Sequence, residues 1–291
     1  MSVSVKGFYE QRTFSVQYVV ADPATSACAI IDPVLDFDEK SGSIATRSAD
    51  ALVAHIANSG LSLAWILDTH PHADHMSAAA YLKEKTGAPI AIGRRITEVQ
   101  RMWKEIYHLP VSFPTDGRQW DRLFFDGETF ILGSVSIKVM ASPGHTLASI
   151  TYLVEDNAFI HDTLFMPDGG TARADFPGGS ARDLWHSIQS ILDLPDETKL
   201  FTGHDYTPKG REPAWESTVA RQKAENVHLR EASSEAEFVR MREGRDKELP
   251  MPKQILHALQ VNIDGGRLPS LDSAGKQFLR IPLNALPGAV W

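Results

Sequence analysis

Apolar residues along the first two thirds of the chain recur with two periods. Phe14, Val16, Tyr18 and Val20 alternate with Ser15 and Gln17, the period of a strand with two distinct faces. Residues 27–32 continue as a buried strand ending at Asp32-Pro33. Ser48 to Asn58 reads as a helix stopped by Gly60, and Leu61 to Leu67 as a strand running into Asp68-Thr69-His70. A helix over 77–86 closes at Gly87. Pro89 to Ile92 is a short strand, and Ile96, Val99, Trp103 and Ile106 recur at helical spacing. Val135, Ile137 and Val139 alternate and lead into Ser142-Pro143-Gly144-His145. Ile150 to Val154 and Ala158 to Ile160 flank a turn at Asp156-Asn157, and the second ends at His161-Asp162. Ser180 is placed to cap a helix carrying Leu184, Ile188 and Ile191, and Leu200-Phe201-Thr202 runs into Gly203-His204-Asp205. This mixture of strands, helices and central hairpins predicts two sheets with helices outside rather than one doubly wound parallel sheet. After about residue 212 the sequence turns charged and helical, and from Met251 to Trp291 it shows no clear period. The expected division is a core of residues 1–211 and a helical and irregular extension, 212–291, packed on it.

Composition changes this picture little. The chain has 291 residues, 43% hydrophobic and 23% charged, as in ordinary globular proteins. No apolar run is long enough to span a bilayer, and the opening MSVSVKGFYEQRTF lacks the apolar core of a secretory leader. A net charge of −8 argues against a nucleic-acid partner. The single cysteine, Cys28, lies in an apolar strand run, fitting a buried residue in a reducing, cytoplasmic setting.

The chemistry lies at strand ends. Four segments place His or Asp directly after an apolar strand: His70-X-His72-X-Asp74-His75, then His145, Asp162 and His204. Strand ends on one sheet edge converge, so these residues are expected to meet. In an extended loop His70, His72 and Asp74 would face one side and His75 the other, with Asp74 and His75 just before a helix N-terminus. Imidazole with carboxylate suits zinc, iron or manganese, not calcium. Lone histidines such as His55, His108, His186 and His257 read as ordinary surface or core residues.

At these residues the chain resembles the metallo-β-lactamase-fold superfamily, over about residues 8–210. The closest likeness is to glutathione-dependent persulfide dioxygenases and their bacterial β-lactamase-like relatives. Ile31-Asp32-Pro33-Val34-Leu35, Thr69-His70-Pro71-His72-Ala73-Asp74-His75, Ala141-Ser142-Pro143-Gly144-His145-Thr146, Ala172-Arg173-Ala174-Asp175-Phe176 and Gly203-His204-Asp205-Tyr206 carry it. The resemblance implies an αββα sandwich and one Fe(II) held by His70, His145 and Asp162, with His72 as a further ligand or close neighbour. Asp74, His75 and His204 would be outer partners, or would hold a second metal. It implies oxidation of glutathione persulfide by O₂ to sulfite and glutathione, with Arg173 pairing a substrate carboxylate and Tyr206 lining the pocket. The alternative is a two-metal thiolester hydrolase resembling glyoxalase II, with Asp162 bridging and zinc as the metal; zinc could also replace iron on purification. The chain departs from the pattern at His161 and Ala172, where the family often has Gly. It also runs on through residues 250–291, where Gln260-Val261-Asn262 resembles the tail of longer bacterial members. That extension could cover the pocket or form a homodimer interface.

Overall fold

The computed structural model describes residues 2–286. The last five residues of the expected extension, 287–291, lie outside the described residues. The first half runs β1 (Ser4–Glu10), β2 (Ser15–Ala21), β3 (Ala27–Ile31), β4 (Val34–Asp38), β5 (Ser43–Ala45), α1 (Arg47–Asn58), β6 (Ser62–Leu67), β7 (Met76–Ser77), α2 (Ala79–Thr86), β8 (Ile90–Gly93), α3 (Ile96–Ile106) and β9 (Arg122–Phe124). The second half runs β10 (Thr129–Leu132), β11 (Val135–Ala141), β12 (Ile150–Val154), β13 (Asn157–His161), α4 (Ala181–Leu192), β14 (Lys199–Thr202) and β15 (Glu216–Thr218). It ends with α5 (Val219–Glu225), α6 (Val227–Glu231), α7 (Glu235–Asp246) and α8 (Ile255–Asn262).

The strands form two six-stranded sheets, ordered β1-β2-β3-β6-β8-β9 and β10-β11-β12-β13-β14-β15, and a small sheet, β5-β4-β7. Period-two alternation sorts the side chains into layers. Val16, Tyr18, Val20, Ala29, Ile31 and Leu67 face Phe130, Val139, Tyr152 and Phe159 across the sandwich interior. From the same strands Val19, Ala21, Cys28, Ile30 and Ile66 turn outward onto residues of α1, α2, α3 and α8. The other sheet's outer face, with Ala158, Ile160 and Leu200, packs on Leu184, Ile188 and Ile191 of α4 and Phe238 of α7. The result is the four-layer αββα sandwich.

Several short strands (β4, β5, β7, β9, β10 and β15) go unread in the sequence, and three further differences bear on the fold and the site. β1, unrecognised because Ser4, Lys6 and Glu10 dilute its apolar residues, pairs along β2 as an edge strand. The tail described above as aperiodic contains α8, whose run Ile255-Leu256-His257-Ala258-Leu259-Gln260-Val261-Asn262 is apolar on most sides because it is buried. The helix expected from residue 77 begins at Ala79, after the two-residue β7, so β7 stands between Asp74-His75 and the helix N-terminus they were expected to adjoin.

Ser180 caps α4, its hydroxyl accepting from Asp183 N at 3.1 Å. Just beyond β11, Gly144 has φ +132°, and a Cβ there would stand 2.2 Å from the backbone nitrogen of Leu184. The bend that turns His145 inward therefore needs glycine, both for its dihedral and for the close approach of α4. Gly144→Ala is expected to lower stability by about 3 kcal/mol, combining backbone strain with overpacking. Urea unfolding tests this, and a loss under about 0.5 kcal/mol would contradict the packing described.

Candidate metal centre

β3 and β6 run parallel, and Asp32 and Asp68 follow their C-terminal ends. Asp32 is buried. It accepts the Thr69 amide at 2.7 Å and the Thr69 hydroxyl at 2.8 Å. Burial alone would raise its pKa, but nearby His72 and the hydrogen bonds from Thr69 bring it below the usual carboxylate range. The Thr69 hydroxyl proton thus goes to Asp32, and the Thr69 oxygen is left to accept from His70 Nδ1, 3.0 Å away. His70 carries its proton on Nδ1, and the lone pair on Nε2 is free. Nε2 is buried with no protein partner.

His145 reaches the same state by a different route. Its Nδ1 donates to the carbonyl of Arg173 at 2.9 Å, leaving Nε2 3.6 Å from Asp162 Oδ2. Burial pushes both imidazoles below their ordinary pKa, His70 well below, with neighbouring His72 and His145 adding to its shift, so both are neutral at pH 7. Asp162, at the end of β13, falls to about 2: burial opposes ionisation, but His204 and His145 outweigh it. One nitrogen or oxygen from each of His70, His145 and Asp162 lies within 4.8 Å of the others. Two neutral imidazoles with free Nε2 lone pairs and an ionised carboxylate make a donor set that fits a divalent transition metal.

The remaining ligand-type residues are arranged differently. His204, wholly buried after β14, has Nδ1 2.6 Å from Asp162 Oδ1 and Nε2 2.6 Å from Asp74 Oδ2. Both nitrogens therefore need a proton. Burial disfavours the cation, yet Asp162 and Asp74 hold it, raising the pKa well above its ordinary value. Asp74, Asp162 and His204 form a second cluster of ligand size, and His72, Asp74 and His75 a third. Gly203 permits this arrangement, since a Cβ there would meet Asp162 Oδ1 at 2.5 Å. His72 stacks obliquely on His70 at 4.1 Å between ring centres and has Nε2 3.1 Å from Asp32 Oδ1. The loop from 69 to 75 is bent rather than extended. The expectation that His75 faces away from His72 and Asp74 fails for that reason: turns, not a pleat, aim these side chains, and His75 gathers with His72 and Asp74.

His161 stands where the family pattern often has Gly. It has φ +42°, is buried, and sits 5.2 Å from His70 ring to ring. Its Nε2 is held by the hydroxyls of Ser142 at 2.9 Å and Thr163 at 3.0 Å. A bulge between Phe159 and His161 turns it inward and Asp162 toward the cluster. Sequence reasoning also missed Asp32 and Thr69. An aspartate directly after the apolar strand run Ala27–Ile31, the pattern that also marks Asp162, was the available signal.

A cavity of about 550 Å³ opens over Asp74, His145 and Asp162, walled by Phe14, Phe165 and Phe176. Tyr206 also lines it, half-exposed and stacked on His204 with ring centres 5.6 Å apart. Arg173 lines it too, but its guanidinium is committed. It makes a two-pronged pair with Asp175 at 2.6 and 2.8 Å and donates to the Pro250 carbonyl at 2.6 Å. Arg173 therefore holds a structural ion pair where it lines the cavity.

The family model described as the metallo-beta-lactamase superfamily matches residues 12–204. The chain belongs to this superfamily. Among its relatives, the "Beta-lactamase hydrolase-like protein" of Xylella fastidiosa is 64% identical over 99% of the chain, which spans 66% of that relative's length. "Glyoxylase B2" of Dictyostelium discoideum is 43% identical over 97% of each chain. The human "Persulfide dioxygenase ETHE1, mitochondrial" is 27% identical, covering 91% of this chain and 89% of its own. The crystal structure of ETHE1 from Myxococcus xanthus superposes with a TM-score of 0.72 at 29% identity, over 91% of this chain and 100% of that one. Among the described residues no helix is long and apolar enough to cross a membrane.

Protonation distinguishes the first two of these ligand-type clusters in this superfamily member. The His70, His145 and Asp162 set is ready to bind at pH 7 without losing a proton. His204 is protonated there, so a second metal must displace its proton, and binding at that cluster strengthens as pH rises toward its raised pKa. Calorimetric titration of zinc(II) into metal-free protein, in buffers of different ionisation enthalpy, should show no net proton release with the first equivalent. A second equivalent should release about one proton. Release of a full proton with the first equivalent would contradict this assignment.

Proposed function

We propose that the protein is a mononuclear iron persulfide dioxygenase, oxidising glutathione persulfide with O₂ to sulfite and glutathione. The observation that carries this reading is the inequality of the two clusters. His70 and His145 present free Nε2 lone pairs beside Asp162, whereas His204 is already held by Asp162 and Asp74. Two histidines and one carboxylate on one side, with other positions open, is the donor set of iron(II) oxygenases. The relatives named persulfide dioxygenase and ETHE1 support the same reading.

Iron bound there would supply a redox centre with positions open to O₂ and to the substrate sulfur. The overall change consumes one persulfide, one O₂ and one water, and yields glutathione, sulfite and two protons. The chain's own part is to hold His70 and His145 neutral and Nδ1-protonated and to keep Asp162 ionised. Phe14, Phe165 and Phe176 line the cavity as an apolar wall for the reacting sulfur end. With Arg173 paired to Asp175, Arg242 to Asp246 and Arg12 to Asp38, the cationic groups left to meet the carboxylates of glutathione are Arg245 and Lys253 on the rim. Reversing Arg245 and Lys253 to glutamate together is expected to raise KM for glutathione persulfide roughly tenfold with kcat nearly unchanged. An unchanged KM would contradict the rim assignment.

A two-metal thiolester hydrolase is the second reading. The Asp74, Asp162 and His204 cluster favours it, as do relatives carrying hydrolase and glyoxylase names. An oxygen electrode separates the two. Anaerobically prepared, iron-loaded protein should consume one O₂ per sulfite formed from glutathione persulfide, with little hydrolysis of a glutathione thiolester. No O₂ uptake by fully loaded protein, with rapid thiolester turnover by a two-zinc form, would overturn the dioxygenase reading.

A further inference from the structure

The loop from Thr69 to Ser77 carries four of the ligand-type side chains, yet its backbone is not held by the sandwich alone. Asn262, the last residue of α8, is 3% exposed and spends its whole amide on this loop. Its Oδ1 accepts from Ser77 N at 2.7 Å. Its Nδ2 donates to the carbonyls of His72 and His75, both at 2.8 Å. Three backbone groups of a bent, buried segment, which no strand or helix partner satisfies, are met by one side chain. The fork matters because His72 and His75 are three residues apart. Tying both carbonyls to one nitrogen sets the curvature of the loop and hence where its imidazoles point. Gly266, four residues on, comes as close: a Cβ there would be 2.7 Å from the Ser77 carbonyl.

We propose that Asn262 is a positioning residue of the metal centre, so that the end of α8 forms part of the metal-binding apparatus. The effect works through the backbone of the His72–His75 turn; Asn262 itself offers nothing to the metal or the substrate. A leucine or alanine at 262 would leave three buried backbone groups without partners, and the loop would relax toward other turns. The proposal rests on His70, His145 and Asp162 holding a metal, and is independent of which reaction follows.

Zinc(II) affinity, measured by competition with a chromophoric chelator on full-length protein, tests it. Asn262→Ala should weaken zinc binding about tenfold and alter the visible absorption of the cobalt(II)-substituted protein. Val261→Ala, which removes packing from the adjacent, wholly buried position of the same helix, serves as the control. It should lower Tm yet keep zinc affinity within about twofold and leave the cobalt spectrum unchanged. Should Asn262→Ala fail to fold, Asn262→Asp, isosteric and still able to accept from Ser77, carries the same expectation. Wild-type affinity and spectrum in the Asn262 variant, or an equal loss in Val261→Ala, would overturn the proposal. Wild-type protein that binds no zinc would defeat the metal-centre reading and this inference with it, whereas wild-type binding with an indifferent Asn262 defeats this inference alone.

Discussion

The arrangement depends first on where one proton sits. Asp32 is a buried carboxylate, and a buried charge is tolerated when hydrogen bonds and opposite charge offset its lost hydration. Thr69 supplies two of those bonds and His72 the neighbouring imidazole. In accepting the Thr69 hydroxyl proton, Asp32 decides the tautomer of His70 two groups away. Remove the carboxylate and the hydroxyl is free to turn, His70 Nδ1 can accept from it as well as donate to it, and the preset lone pair on Nε2 is lost. The neighbouring Asp68, raised to about 7 by burial and by Asp32, takes the Ser77 hydroxyl and adds no second full charge to the cluster at neutral pH.

The fold delivers the other groups by the same logic, with backbone in place of a side chain. The Arg173 carbonyl sets His145, and the segment bearing it is pinned from α7. Asp246 accepts from Ala174 N at 2.9 Å, and Arg242, nearly buried and paired with Asp246, donates to the Thr171 carbonyl at 3.1 Å. Arg173 closes the same segment against Pro250. The residues after 212 are thus joined to the site from one side through α7 and from the other through α8. In the described structure they share the cores of the sandwich, Phe238 with α4 and Ile255, Leu259 and Val261 with the first sheet.

Much of this could be read from the chain because it is local. Val16, Tyr18 and Val20 announce a strand by alternation, and His70, His145, Asp162 and His204 stand out by following apolar runs. What could not be read depends on partners distant in sequence. Asn262 lies 190 residues from His72 and Asp246 72 from Ala174, and nothing near either marks it as a support for the site. α8 hid because its burial erased the periodicity that identifies a surface helix. Arg173 pairs with Asp175, two residues away, a contact that the residue pattern left open. The bend at 69–75 defeated an argument that assumed a pleat, and the left-handed backbone of Asp32 and His161 is invisible to residue pattern.

The tautomers themselves can be observed. Long-range ¹⁵N–¹H correlation spectra of the histidine rings in metal-free protein at pH 7 report which nitrogen of each carries hydrogen. His70 and His145 should both appear neutral with the proton on Nδ1, and His204 should appear as the doubly protonated cation. Finding His70 or His145 protonated on Nε2, or charged, would contradict the claim that Asp32 and the Arg173 carbonyl preset the metal-binding lone pairs.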